Sequence, residues 1–201
     1  MERKILVSSA YFPPIEYFSL ISQADEVEIE KEENYVKQSY RNRCYILSAH
    51  GPQMLTVPVY LGSFHKSLTK DIRIDYSKRW QQVHLRAFKA AYSASPYYEF
   101  YSEIFNKIIL QNHVFLLDLN MELIMAVLSL LKISKAISYT KVFKPLGSIE
   151  NDLRYKINPK KESHFQGKEY IQVFNNGNGF THGLTILDLI FNIGPDSGNY
   201  L

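Results

Sequence analysis

The stretch "NYVKQSYRNR", residues 34 to 43, gathers groups that can hold an anion: Lys37, Arg41 and Arg43 stand among Tyr35, Tyr40, Asn34, Gln38, Ser39 and Asn42, with no acid between them. A guanidinium presents a rigid fork of donors to a carboxylate or phosphate, and an adjacent amide offers a paired donor and acceptor that fixes orientation. Lys37, Asn42 and Arg43 therefore make a candidate cradle. The competing interpretation is a solvated loop whose arginine pairs with Glu30, Glu32 or Glu33 just upstream, which is worth little when exposed. Asp and Glu are absent from residues 34 through 70, where Lys37, Arg41, Arg43, Lys66 and Lys70 all fall. Unopposed cations raise the local concentration of anions, so the expected partner is an anionic small molecule, a phosphate group or an acidic surface.

A second candidate is His84, four residues after Trp80, with Ala87, Phe88 and Ala91 continuing the same helical face. Its imidazole should point toward the core or a pocket. There it is either a general base for an amine or hydroxyl, or a core histidine with one quiet partner. Trp80 is likewise either core or a stacking platform. The remaining histidines, His50, His65, His113, His164 and His182, lack the spacing of known metal ligands, so no metal is expected. No G-x-G-x-x-G follows the first strand-like run, no Walker loop is present and no G-x-S-x-G elbow occurs, so no cofactor is expected either. Cys44 is the single cysteine, which excludes an intramolecular disulfide and a thiolate cluster and fits a reducing cytosol.

These side chains need a scaffold. The 201 residues, 46% hydrophobic, suit one domain over 1–201. Lys plus Arg number 23 against 20 Asp plus Glu, too small an excess for a dedicated nucleic-acid binder. The greasy run "FLLDLNMELIMAVLSLL" is broken by Asp118, Asn120 and Glu122 and reads as a buried helix, not a membrane span. The opening apolar run is too short for a signal peptide, and the expected location is cytoplasmic. "KILVSS", "YFPPIEYFSLISQAD" and "EVEIE" read as strand, helix and strand with a right-handed crossover. "CYIL", "QMLTVPVYL" and "DIRID" read as further strands. Helices are expected after Ser77 as N-cap, through "YYEFYSEIFNKIILQ", and from an Asn120 cap to about Leu131. "AISYTKVF" adds a candidate strand, residues 144 to 168 read as irregular, and "NNGNGFTHG" reads as a turn. In "LTILDLIFNIGP", Thr185 and Asp188 have capping-box spacing and Gly194 with Pro195 ends the helix. The expected fold class is α/β: an N-terminal strand-helix-strand unit and a small mixed sheet, packed by a helical C-terminal half.

Taken in order, "YFPPIEYFSLISQADEVEI", "KQSYRNR", "GPQMLTVPV", the Trp80 and His84 helix, "NDLR", "YIQVF" and "LTILDLIFNIGP" resemble the WbqC-like proteins of bacteria over nearly the whole chain. The resemblance marks Tyr11, Phe12, Pro13, Lys37, Asn42, Arg43, Trp80, His84, Gln172 and Asp188 as family-pattern positions. The family is largely uncharacterised; some members lie among genes for O-antigen or other surface polysaccharides, and one idea for the family is transfer of a glycyl or similar acyl group to an amino sugar carried on a nucleotide. On that expectation Lys37, Asn42 and Arg43 hold phosphate or carboxylate, Tyr11 contacts ligand, Trp80 packs on a ring and His84 is the base. The alternative is a noncatalytic protein that grips an anionic ligand or partner in the same basic cleft. Many relatives carry Gln-Pro where Ser8 and Ser9 stand, and an aromatic-leucine-glycine run where Pro14, Ile15 and Glu16 stand. The opening layout is also similar to nucleotidyltransferase folds, without their two histidines, and would put a phosphate at the first helix's N-terminus.

Overall fold

The computed structural model describes residues 3–61, 67–161, 163, 165–174 and 179–201. Its first strand, β1 (Lys4–Ser8), carries Ile5, Leu6 and Val7, all buried, as a parallel strand covered on both faces requires. Pro13 and Pro14 break the chain, and α1 (Ile15–Ser22) crosses back to β2 (Glu26–Glu30), which pairs in parallel from Lys4 opposite Glu26 to Ser8 opposite Glu30. The strand-helix-strand unit expected from the sequence is therefore present.

β3 (Arg43–Ser48) and β4 (Gly51–Thr56) form an antiparallel hairpin whose two-residue turn ends at Gly51, at a φ of 101° that disfavours any side chain. β5 (Val59–Tyr60) and β6 (Arg73–Ile74) make a second, short antiparallel pair. The strand expected over "DIRID" shrinks to two residues because Thr69–Asp71 is wound into a 3-10 turn. Lys66 and His65 lie outside the described residues, as do residues 175–178 of the expected glycine-rich turn.

Three helices follow: α2 (Trp80–Tyr92), α3 (Tyr98–Leu110) and α4 (Leu116–Leu130). Two expected caps are corrected. α2 starts after Arg79, and the Ser77 backbone N–H is taken by the Asp75 carboxylate 2.8 Å away in the preceding turn. α4 starts four residues before Asn120, whose wholly buried amide donates to the Arg41 carbonyl at 2.8 Å and to Ser9 Oγ at 3.4 Å. That amide is a tie between the helix and the loops around β1 and β3. No described helix is long and apolar enough to cross a membrane.

β7 (Ile137–Tyr139) returns beside β2 in parallel, so the sheet order is β1-β2-β7. The described residues of 144–168 form no helix or strand. They nevertheless dock: the Leu6 N–H donates to the Asn151 carbonyl at 3.1 Å and the Leu153 N–H to the Leu6 carbonyl at 2.8 Å, which lays this strap along the outer edge of β1. Finally α5 (Ile186–Ile193) is capped by Thr185, whose Oγ1 accepts from the Leu187 N–H at 3.4 Å. The box is only half closed, because the Thr185 N–H goes to the Tyr45 carbonyl and Asp188 turns into the core. Gly194, at φ 65°, stops the helix where a Cβ would run into the Tyr97 ring. α5 packs on α1, α3 and β3, and α3 on α2 and α4. The fold class is α/β, with the helices concentrated in the C-terminal half.

Candidate functional site

Trp80, His84 and Phe88 recur at a spacing of four along α2 and face inward together. The loop after β1 brings Tyr11 to meet them, its hydroxyl 2.8 Å from His84 Nδ1. Burial raises the Tyr11 phenol well above its ordinary value, so the hydroxyl keeps its proton and donates it, which assigns the ring proton of a neutral His84 to Nε2. Burial lowers His84 to about 4, against the opposing effect of a hydrogen bond with the Thr56 backbone. The Trp80 ring stands edge-on 5.2 Å away, with its Nε1 buried and unpartnered. Phe12, held at a φ of 41° between the rings of Phe88 and Phe105, completes an aromatic cluster. Three expected site residues, Tyr11, Trp80 and His84, thus come together, inside the core.

The basic stretch divides. Lys37 is exposed. Asn42 is buried and donates through Nδ2 to the Val57 carbonyl at 2.9 Å, with its Oδ1 unpartnered. Arg43 opens β3 opposite Thr56, half-buried, with Nε unpartnered. Strand alternation puts its side chain on the Tyr45 face, opposite the buried Cys44, which faces the core as an inert thiol pushed far up by burial. Among the described residues no hydrogen bond, ion pair or ring contact joins Lys37, Asn42 or Arg43 to His84.

Arg41 behaves differently from its neighbours. It is 3% exposed and pairs with the fully buried Glu33, Nε to Oε1 at 2.9 Å, while its Nη2 reaches Ser8 Oγ at 2.6 Å. Ser8 in turn donates to Glu33 at 2.8 Å. The pairing with upstream acid that the sequence left open for Arg43 is therefore made by Arg41. Beside it, Glu30 accepts from Thr140 Oγ1 at 2.6 Å and from Arg154 Nη1 at 3.1 Å, and Arg154 also clamps Asp152. Tyr155 reaches Glu33 at 3.3 Å. This network occupies the carboxyl ends of β1 and β2, the place where open parallel sheets usually bind ligands.

The open space lies next door. A cleft of about 540 Å3 is bounded by the first turn of α1 (Pro14, Ile15, Glu16), by Tyr40, by the strap between Lys156 and Lys168, by residues 180–184 and by Tyr200. Lys156, Lys161 and Lys168 line it together with the rings of Phe165, Tyr170 and Phe180. A second space of about 590 Å3 adjoins it across a shared wall that includes Tyr40, Lys161, Phe165 and His182, and extends toward Tyr45 and Pro52. None of Tyr11, Lys37, Asn42, Arg43, Trp80 and His84 lines either space.

The wall is braced from behind. Tyr170 donates to the buried carboxylate of Asp188 at 2.7 Å, and Gln172 donates to the same oxygen at 3.0 Å while bonding both the N–H and the carbonyl of Thr181. Burial pushes the Asp188 carboxyl up, against the lowering effect of these donors. Among the described residues no group of three or more His, Cys, Asp or Glu could hold a metal ion. Sequence reasoning missed Glu16, Lys156, Lys161, Lys168 and His182 as a set. The lysine excess within "YKINPKK" was the one visible hint.

Over 231 aligned residues the chain is 29% identical to a Mycobacterium tuberculosis protein called Uncharacterized protein Rv1507c, covering 100% of this chain and 98% of that one. No solved structure matches it. The sequence profile of the WbqC-like protein family matches residues 8–162, a span that includes Glu16, Tyr40, Lys156 and Lys161. The chain belongs to the WbqC-like protein family.

Proposed function

We propose that the chain is a group transferase whose cleft holds a nucleotide-linked amino sugar and passes a glycyl or similar acyl group to its amine, a cytoplasmic step in surface-polysaccharide assembly. One observation carries this proposal: three lysines and several aromatic rings surround about 540 Å3, a volume in the range of small-molecule sites. Ammonium groups hold phosphate as point charges, and rings such as Phe165 offer a face to a base or a sugar. The adjoining space has room for an acyl donor. In the transfer the amine nitrogen attacks the acyl carbon of an acyl phosphate anhydride: the C–N bond forms, the C–O bond to phosphate breaks with its electron pair, and the amine gives up a proton. His182 and Glu16 are the cleft side chains suited to receive that proton. The link to surface glycans rests on the resemblance described above.

In this proposal Tyr11, Trp80 and His84 brace the core rather than touch the ligand, because an imidazole lowered to about 4 and bonded to Tyr11 is a poor proton acceptor at neutral pH. A noncatalytic anion-binding protein is the second reading. It is favoured by His182, which among the described residues makes a ring contact with Phe180 at 4.9 Å and no hydrogen bond to orient it. A thermal-shift screen with uridine diphosphate sugars tests the cleft itself. The parent and Arg43→Ala are expected to be stabilised, and a Lys156→Ala, Lys161→Ala double variant is not, since a ligand bound only by the folded state raises apparent stability. Equal stabilisation of all three would remove the cleft from the proposal. Once a ligand is in hand, His182→Gln separates the readings: a transferase loses turnover with binding kept.

A further inference from the structure

Glu16 is the single carboxylate among the described residues lining the 540 Å3 cleft, which it shares with Lys156, Lys161 and Lys168. A glutamate in the first turn of a helix has an ordinary role, to complement the helix dipole. What is unusual is that opposite charges share one cavity without pairing. Among the described residues no ion pair joins Glu16 to a lysine, and neither Lys156 nor Lys161 uses its ammonium in a hydrogen bond or ion pair. Lys168 donates instead to the Asn199 carbonyl at 2.7 Å. Lysines present only to neutralise Glu16 would sit within bonding reach of it. Separated charges in one cleft are the complement of a ligand that itself carries separated charges.

The carboxylate is held in place. Ser163, from the strap, donates to Glu16 Oε2 at 2.7 Å, and among the described residues nothing donates to Oε1. The Glu16 charge also helps, after burial and the neighbouring Tyr45, to push the Tyr40 phenol up to about 12, so a protonated hydroxyl stands at the same corner of the cleft. We propose that Glu16 is the specificity residue of the cleft: it receives a primary ammonium group, so that the site selects ligands bearing both a phosphate and a free amine. This rests on reading the cleft as an anion site. It adds a direction to the transfer: the ammonium yields one proton to Glu16 to become the attacking amine and a second to His182 as the C–N bond forms, and the neutral amide that results lacks the charge-assisted hydrogen bond, which favours release of the product.

The test is calorimetric titration of the full chain at neutral pH with uridine diphosphate glucosamine and uridine diphosphate N-acetylglucosamine, which share base and phosphates and differ at the nitrogen. The parent is expected to bind the free amine about tenfold more tightly, the effect of one charge-assisted hydrogen bond. Glu16→Gln should bring the ratio close to one and keep the affinity for the acetylated ligand, whereas Lys161→Ala should weaken both ligands alike. Should Glu16→Gln fail to fold, Ser163→Ala, which leaves the carboxylate but frees it, is expected to shrink the ratio. A ratio near one in the parent, or one unchanged in Glu16→Gln, overturns the assignment while leaving the anion site standing. Failure of the parent to bind either ligand overturns the anion site and the assignment together.

Discussion

Two charged regions of this chain meet at Tyr40 and Ile157, which line both, and they use charge in opposite ways. On one side the buried pairs Glu33–Arg41 and Glu30–Arg154 are bonded, and their two arginines line a space of only about 20 Å3. On the other, Glu16, Lys156 and Lys161 surround a cleft many times larger and leave one another unpaired. Burying an ion is costly unless a partner and hydrogen bonds compensate it, so a buried network is closed by pairing its charges. Charges left in water carry no such cost and stay available. The lesson is that the most conspicuous cations of a chain need not be its binding cations: Arg41 is spent on holding Glu33 and Ser8, while inconspicuous lysines in an irregular strap face the open space.

The sharpest way to break this contrast is to remove one member of the closed side. Arg41→Ala should cost about 3–5 kcal/mol, the usual consequence of leaving a buried carboxylate unpaired, measured by denaturant unfolding. A loss below about 1 kcal/mol would mean that solvent already reaches Glu33 and that the pair behaves as a surface pair.

Next comes the pH dependence of the aromatic cluster. His84 is held near 4 in the folded chain against 6.5 for a free imidazole, so the unfolded state binds the extra proton first as pH falls. Its stabilising contribution is complete above about 6.5 and is lost on the way down to about 4, amounting to roughly 3 kcal/mol. Asp188 runs the other way, since burial raises it. The difference between the parent and His84→Gln, followed from pH 7 to pH 4, isolates the histidine. A parallel pair of curves would contradict its burial as a neutral ring.

A smaller loss is expected for Tyr11→Phe, about 1–3 kcal/mol, because His84 Nδ1 then stays buried without a donor. Smallest of all, Lys156→Ala and Lys161→Ala should each change stability by no more than about 0.5 kcal/mol, as exposed side chains do, while weakening the binding of anions. A large destabilisation there would move those lysines to the closed side of the comparison.

Local pattern made much of the scaffold legible. The apolar run of β1, the prolines before α1 and the spacing of Trp80, His84 and Phe88 each report which way a nearby side chain faces, and those expectations match the fold. Pattern failed where the partner was distant. Nothing near Arg41 or Arg43 distinguishes which of them meets Glu33, since the choice is made by the packing of the loop against β1 and by an amide from α4. Asn120 looked like a cap because its type favours caps, yet a buried carbonyl 79 residues away claimed it. The cleft was illegible as a unit: Glu16 and Ser163 are 147 residues apart, and the strap between has no periodicity that would say which face it shows.

The strap that supplies the lysines has a further consequence through its backbone. β1 ends the three-stranded sheet on one side, and a bare edge of Ile, Leu and Val would invite another chain to add a strand. Asn151 and Leu153 occupy that edge at Leu6. Loosening the strap would therefore do more than reshape a wall of the cleft: it would uncover an adhesive strand, tying the protein's resistance to aggregation to the same segment that presents its binding charges.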